Sequence, residues 1–240
     1  MKWFLLRRTR SKVTMGNNIS MSDQNNKIII HDSNKEGITI SINGQNNTVE
    51  IGECQLPSRL KITIKGNFNS VRIRSILCVK DLTINVGTHV AANRTELDIG
   101  TNISMETANF ILMHNSGNVC RIGDNCLFSN SITIRCGESP HLLFDKETGE
   151  YIDISEGVFI GNHVWVGEKV YIMKNVTVPD ECVIGAGSVV TKRFTEENCI
   201  IAGNPARVVK QNIQWIKNHG HLEKDSKYYR SYWEYMNRFR

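Results

Sequence analysis

Along residues 154–190 an aliphatic side chain returns every six positions, at Ile154, Ile160, Val166, Ile172, Val178, Ile184 and Val190. Four residues after each of the first six stands a small or β-branched residue: Val158, Val164, Val170, Val176, Cys182 and Ser188. A helix repeats near 3.6 and a half-buried strand at 2, so neither explains a period of six. A hexapeptide β-helix does, because short strands turn a corner every six residues. The leading aliphatic is then expected to fill the interior, with the smaller residue beside a corner.

A longer repeat fills the first half. Ile38-Thr39-Ile40-Ser41-Ile42 returns as Leu60-Lys61-Ile62-Thr63-Ile64 and as Leu82-Thr83-Ile84-Asn85-Val86, at intervals of 22. Gly44-Gln45-Asn46-Asn47 with its following strand returns at the same interval from Gly66. Alternation marks the strands and the Gly/Asn clusters mark the corners. Three sides of six make 18, so 22 predicts one coil with a wider corner. Less regular units follow at Leu97-Asp98-Ile99-Gly100 and Cys120-Arg121-Ile122-Gly123. Asn47 and Asn69 recur at one place in the coil, where they either adopt a left-handed backbone or hydrogen-bond to it.

Strict sixes resume at Ile122, Phe128 and Ile134, and the next residue in register is Ile154. Residues 136–153 are therefore predicted to leave the solenoid as a loop, the kind of excursion from a rigid scaffold where function concentrates. The expected order is a basic arm (1–27), looser coils (28–120), regular coils (121–192) and a C-terminal turn with a capping helix (193–240). That helix would bury Tyr229, Tyr232, Trp233 and Met236 on one face.

Composition sharpens this only in places. Net charge is +5, mild for a nucleic-acid binder, and no nucleic-acid partner is expected. Basic residues gather instead at the ends: Arg7, Arg8, Arg10 and Lys12 in the arm, and Lys224, Lys227, Arg230, Arg238 and Arg240 among aromatics. Both segments suit an anionic partner. The apolar run at residues 3–6 precedes its basic residues, the wrong order for a signal peptide. No apolar stretch is long enough to span a bilayer. The expected place is the cytoplasm, with at most peripheral contact at the inner membrane face. The seven cysteines form no C-x-x-C pair and read as reduced interior thiols.

Three segments carry a family resemblance: Ile160-Gly161-Asn162-His163-Val164-Trp165-Val166-Gly167, Val183-Ile184-Gly185-Ala186-Gly187-Ser188, and Ile201-Ala202-Gly203-Asn204-Pro205-Ala206-Arg207. In order and spacing they resemble the hexapeptide-repeat acetyltransferases, nearest to the branch that O-acetylates capsule, lipopolysaccharide or polysialic acid. The resemblance implies an all-β left-handed parallel β-helix with an extruded loop and a C-terminal helix. It also implies a homotrimer with active sites between subunits, acetyl-CoA as co-substrate, no metal, and a sugar or polysaccharide acceptor.

Direct acetyl transfer to a hydroxyl needs a base, oxyanion donors and a thioester held beside the acceptor. His141 lies in the extruded loop and matches the family's catalytic histidine. The family's aspartate two residues earlier is Ser139 here, which leaves Glu138, Asp145 or a backbone carbonyl to orient the ring. The resemblance places Trp165 and Asn109 at the acceptor site, and His163, third after a coil-leading Ile and so expected to point outward, is a further candidate acceptor contact. An exposed Trp165 needs a cover, from a neighbouring subunit or a substrate. For coenzyme A the resemblance points to the Glu168 backbone, Ala186, Thr191, Lys192, Arg207 and Lys210. Gly185-Ala186-Gly187 would let a pantetheine arm approach the backbone, and the cations would meet phosphates. Three readings compete: a non-catalytic binding β-helix, an antibiotic O-acetyltransferase, and a metal enzyme like the γ-type carbonic anhydrases. The last needs a histidine pair five apart, and the seven histidines contain none.

Overall fold

The computed structural model describes residues 18–22, 24–31, 37–54 and 59–239. The predicted basic arm lies outside these residues up to position 17. Its last stretch is already solenoid, because Asn18–Met21 pairs in parallel with residues 39–42.

The strands stack in parallel into a three-sided solenoid. The first face holds eight strands, from Asn18–Met21 through Asn109–Met113 and Thr133–Arg135 to Tyr171–Ile172 and Val189–Val190. The second face includes Thr48–Cys54, Glu96–Ile99, Val119–Ile122, Val158–Ile160 and Val176–Val178. The third includes Ile103–Met105, Leu127–Phe128, Trp165–Val166, Val183–Ile184 and Ile200–Gly203. The long strand Ser70–Val79 bends from the second face onto the third, pairing first with Glu96–Ile99 and then with Ile103–Met105.

Register explains both repeats. Ile38, Leu60 and Leu82 are direct partners 22 residues apart. Ile111, Ile134, Ile172 and Val190 form one buried column on the first face. Cys120, Val158 and Val176 form another on the second. The leading aliphatics from Ile160 onward are buried, and so are the residues four later. Each buried aliphatic side chain contributes about 1.5–3 kcal/mol, so stacked columns hold a fold whose coils pack chiefly on their immediate neighbours.

The residue three after a leading aliphatic takes the corner. Asn125, Ser131, His163, Lys169, Asn175 and Glu181 all have φ between 50° and 61°. The residue before each second-face corner braces the coil beneath: Asn162 Oδ1 accepts from Asp124 N at 2.9 Å, and Asp180 Oδ1 from Asn162 N at 2.7 Å. In the first half the brace is an inward asparagine ladder. Asn47 Nδ2 donates to Asn26 Oδ1 at 3.0 Å, Asn69 Nδ2 to Asn47 Oδ1 at 2.9 Å, and Thr95 Oγ1 to Asn69 Oδ1 at 2.9 Å. Asn47 and Asn69 thus hydrogen-bond inside the coil, and the left-handed positions belong to their predecessors Asn46 and Phe68.

Ile154 departs from its expected place. It is 60% exposed, whereas its neighbour Asp153 is 1% exposed. The interior resumes at Val158 and Ile160, so the excursion runs to residue 157 rather than 153. The tail also differs. The strand Ala206–Lys210 folds antiparallel onto Ile200–Gly203 and ends the parallel stacking. The chain then doubles back along the side of the solenoid: Lys217 Nζ donates to Ser104 Oγ at 2.7 Å. The helix Lys227–Met236 (α1) is capped by Ser226, whose hydroxyl accepts from Tyr229 N. Tyr229, Tyr232, Trp233 and Met236 are its half-buried residues, as the pattern predicts. Its first turn stands beside Leu77 and Asn102, along the solenoid's flank, rather than capping the open end. No helix among the described residues is long and apolar enough to cross a membrane.

Candidate active site

The loop leaves at the corner between the first and second faces. Its base is fixed to the coil: Asn115 Oδ1 accepts from Ser139 N at 2.9 Å, and Arg135 Nε donates to Glu138 Oε2 at 2.8 Å. Its outer part is a short hairpin in which Phe144 bridges Tyr151 and their rings meet edge to face at 5.6 Å. Its returning limb is anchored to the next coil. Asp153 pairs with Lys174, and Asn175 Nδ2 donates to Ile154 O at 2.9 Å.

His141 is exposed on this loop, with its backbone N–H donating to Glu138 O at 3.2 Å. Both carboxylates offered as its orienting partner are engaged elsewhere. Glu138 holds Arg135. Asp145 accepts from Thr148 N at 2.7 Å and Glu147 N at 2.9 Å, which holds its pKa below the usual carboxylate range. His114, at the loop's base, is buried with Nε2 unpartnered. Burial, and then the charge of Arg135, lower its pKa and keep the ring neutral.

Trp165 and His163 lie elsewhere on the coil. Trp165 opens the third face, and in a three-sided coil that face lies across from the corner that emits the loop. His163 sits at the preceding corner, and Glu181 occupies the same corner one coil on. Their spacing of 18 residues brings His163 Nδ1 to 2.6 Å from Glu181 Oε2. A carboxylate only accepts, so Nδ1 carries a proton and donates it to Glu181.

The tail completes this corner. Trp215, 7% exposed, stacks on the His163 ring at 4.0 Å and donates from Nε1 to His163 O at 2.7 Å. It also stands 6.2 Å from Trp165, which remains 39% exposed. Part of the cover that Trp165 requires therefore comes from its own chain. Trp215 and Glu181 escaped sequence reasoning. Glu181 was legible as the residue three sixes after His163, whereas no period leads to Trp215.

Asn109 leaves the set of acceptor contacts. It is buried, Nδ2 donates to Glu106 O at 3.0 Å, and Oδ1 accepts from Ile132 N at 3.1 Å, so it braces a corner. The residues expected at coenzyme A are all exposed: Glu168, Ala186, Thr191, Lys192, Arg207 and Lys210. The Glu168 carbonyl accepts from Gly187 N at 2.8 Å and keeps a second lone pair. Lys192 Nζ lies over the Phe194 ring at 5.1 Å, and Arg207 donates to Ala206 O at 2.9 Å. The glycines have a structural cause. A Cβ on Gly167 would come within 2.7 Å of Ala186 N, and one on Gly185 within 2.9 Å of Ala202 Cβ. Gly187 turns the corner with φ 71°, and a Cβ there would meet open space.

Residues 157–192 match the family model described as bacterial transferase hexapeptide (six repeats). The chain is 33% identical to the polysialic acid O-acetyltransferase of Neisseria meningitidis, over 72% of this chain and 86% of that protein. It is 38% identical to the galactoside O-acetyltransferase of Escherichia coli over 43% of this chain, and spans 50% of that relative's length. The solved structure of the polySia-specific acetyltransferase NeuO superposes with a TM-score of 0.70 over 95% of both chains, at 24% identity, and shares the fold. With its buried columns of sixes and its extruded loop, the chain belongs to the hexapeptide-repeat acetyltransferase family, alongside the polysialic acid O-acetyltransferases.

Proposed function

We propose that this protein transfers an acetyl group from acetyl-CoA to a sugar hydroxyl of a bacterial surface glycan, an anionic polymer of the polysialic acid kind. The observation that carries this reading is the loop at residues 136–157, which presents exposed His141 from the longest excursion of an otherwise close-stacked coil. His141 acts as general base. Its free ring nitrogen takes the acceptor's hydroxyl proton as that oxygen attacks the thioester carbonyl carbon. The tetrahedral intermediate collapses, the carbon–sulfur bond breaks, and the imidazolium returns its proton to the departing thiolate. A backbone carbonyl is the orienting group left to His141, since Glu138 and Asp145 are engaged. Lys192, Arg207 and Lys210 supply charge for the coenzyme's phosphates, and Glu168 and Ala186 supply an open backbone edge beside them.

The working unit is a homotrimer with each site shared between neighbours. Within one chain the loop and Trp165 belong to opposite sides of the solenoid. Threefold packing sets the loop of one protomer against the third face of the next. His141→Ala should lower kcat by roughly 10²–10⁴-fold while leaving acetyl-CoA binding intact. Mixing two inactive variants tests the sharing. In refolded mixtures of His141→Ala and Trp165→Ala protomers, random assembly rebuilds about one site in four. Recovered activity supports a shared site. An active monomer in sedimentation, or near-normal kcat in His141→Ala, overturns the reading.

A further inference from the structure

A cavity of about 440 Å³ opens where the returning tail crosses the corner between the second and third faces. That size lies within the ordinary range of small-molecule pockets, about 300–1,000 Å³. One wall is the corner column Asn102, Asn125 and His163, and the other is Trp215, Lys217 and Tyr228 from the tail. The mechanism above uses none of these side chains.

The polar groups here suit a hydroxylated ring, and Lys217 offers it a cation beside the one lining carboxylate, Glu223. His163 is held through Nδ1 by Glu181, which leaves Nε2 for a sugar hydroxyl, a group that both donates and accepts. Asn102 Nδ2 donates to Asn125 Oδ1 at 2.7 Å, leaving the Asn125 amino group as donor and the Asn102 carbonyl as acceptor. Lys217 uses one ammonium proton on Ser104 and retains two for a carboxylate. Tyr228, half exposed, offers an aromatic edge to the apolar side of a sugar ring. The cavity adjoins Trp165 through Trp215, whose ring lines it and stands 6.2 Å from that of Trp165.

We propose that this cavity is a second acceptor subsite, which holds an acidic sugar residue of the glycan next to the one being acetylated. The inference rests on the reading of the protein as a glycan O-acetyltransferase. It makes the tail a device that selects chains over free sugars. Gripping a second residue adds binding without touching the reacting hydroxyl, so the gain appears only with oligomers.

The test uses the full-length protein with sialic acid monomer, dimer and hexamer, and with Tyr228→Ala and Asn125→Gly variants. Glycine is chosen because Asn125 has φ 59°. Saturation-transfer NMR without acetyl-CoA reads binding, and acetyl transfer is measured separately. The hexamer should bind about tenfold more tightly than the monomer, and both variants should remove most of that difference. In the transfer assay the hexamer-to-monomer ratio of kcat/KM should fall in both variants. Equal binding of hexamer and monomer by the wild type overturns the subsite, as does a hexamer preference that survives in both folded variants. Hexamer binding that depends on Tyr228 and Asn125, without any acetyl transfer, sinks the proposed activity and leaves the subsite standing.

Discussion

The Asp153–Lys174 pair is the part of the loop whose removal has a calculable effect. Asp153 is 1% exposed, and its carboxylate meets Lys174 on one side and Tyr151 Oη, at 3.3 Å, on the other. Lys174→Met leaves that carboxylate buried with a single neutral hydroxyl. Breaking a buried pair from one side costs roughly 3–5 kcal/mol. The Lys174 side chain keeps 23% exposure, so water weakens the pair and brings the cost below that range, to about 2–3 kcal/mol. The protein has one escape, which is to swing the returning limb into solvent. That forfeits the Tyr151 contact, the two Asn175 hydrogen bonds, to Ile154 O and from Glu156 N, and the Ser155 hydroxyl's bond to Cys136 O. At about 1 kcal/mol each, the escape costs at least as much, so neither route avoids the loss. Urea unfolding of Lys174→Met should show that decrease, and amide exchange at Glu156 should quicken. Adding Asp153→Leu should restore most of the stability, because a buried apolar replacement leaves no orphan charge. The loop carries His141, so kcat should fall in Lys174→Met more than the KM for acetyl-CoA rises. A single variant within about 0.5 kcal/mol of wild type, with unchanged exchange, would refute the anchoring role.

Lys192→Met and Arg207→Met should each raise the KM for acetyl-CoA with little change in kcat at saturation, read from steady-state kinetics. Asn69→Ala removes the partner of Ala92 O, Thr95 N and Asn47 Oδ1 inside the coil, and should cost about 2–4 kcal/mol in urea unfolding. Burial pushes the Cys126 thiol from the ordinary 9.0 up to about 12, so a thiolate-directed reagent at pH 8 should leave it unmodified until the chain unfolds. The folded state holds that proton more tightly than the unfolded one. Its contribution to stability is therefore complete below pH 9.0 and is lost as pH climbs toward about 12, which titrated unfolding should show.

The solenoid was legible because coil stacking forces interior positions to recur at a constant interval, and an interval survives in a list of letters. The same test misled at Ile154. Its spacing fits the series by coincidence, and a spacing rule cannot see that the neighbouring Asp153 is the buried residue. A charged letter reads as solvent-facing unless its partner is known, and Lys174 stands in another coil. The tail shows a different limit. Amphipathic spacing foretold that Tyr229, Tyr232, Trp233 and Met236 would share a face, but not what that face would cover. Trp215 reaches His163 across 52 positions from a segment without any period.

Repetition also decides where chemistry can be placed. A corner repeated every coil presents much the same backbone at each level, and side chains are free to differ there because the backbone bonds run between coils. That is how His163 and Glu181 become partners: two corner residues one coil apart, on the same left-handed corner backbone, face each other at 2.6 Å. Two segments depart furthest from the repeat, the loop at one corner and the tail along another. Loop and tail therefore attach at two different corners of one chain, at either edge of the second face, and close-packed coils cannot bend to bring them together. In the homotrimer proposed above, base, acceptor wall and tail cavity are joined by packing between chains, so a variant that loosens those contacts should lose activity before it loses its fold. Light scattering, activity and unfolding followed together on dilution separate the two events. Activity that persists in fully dissociated, folded protomers would place the whole reaction within one solenoid.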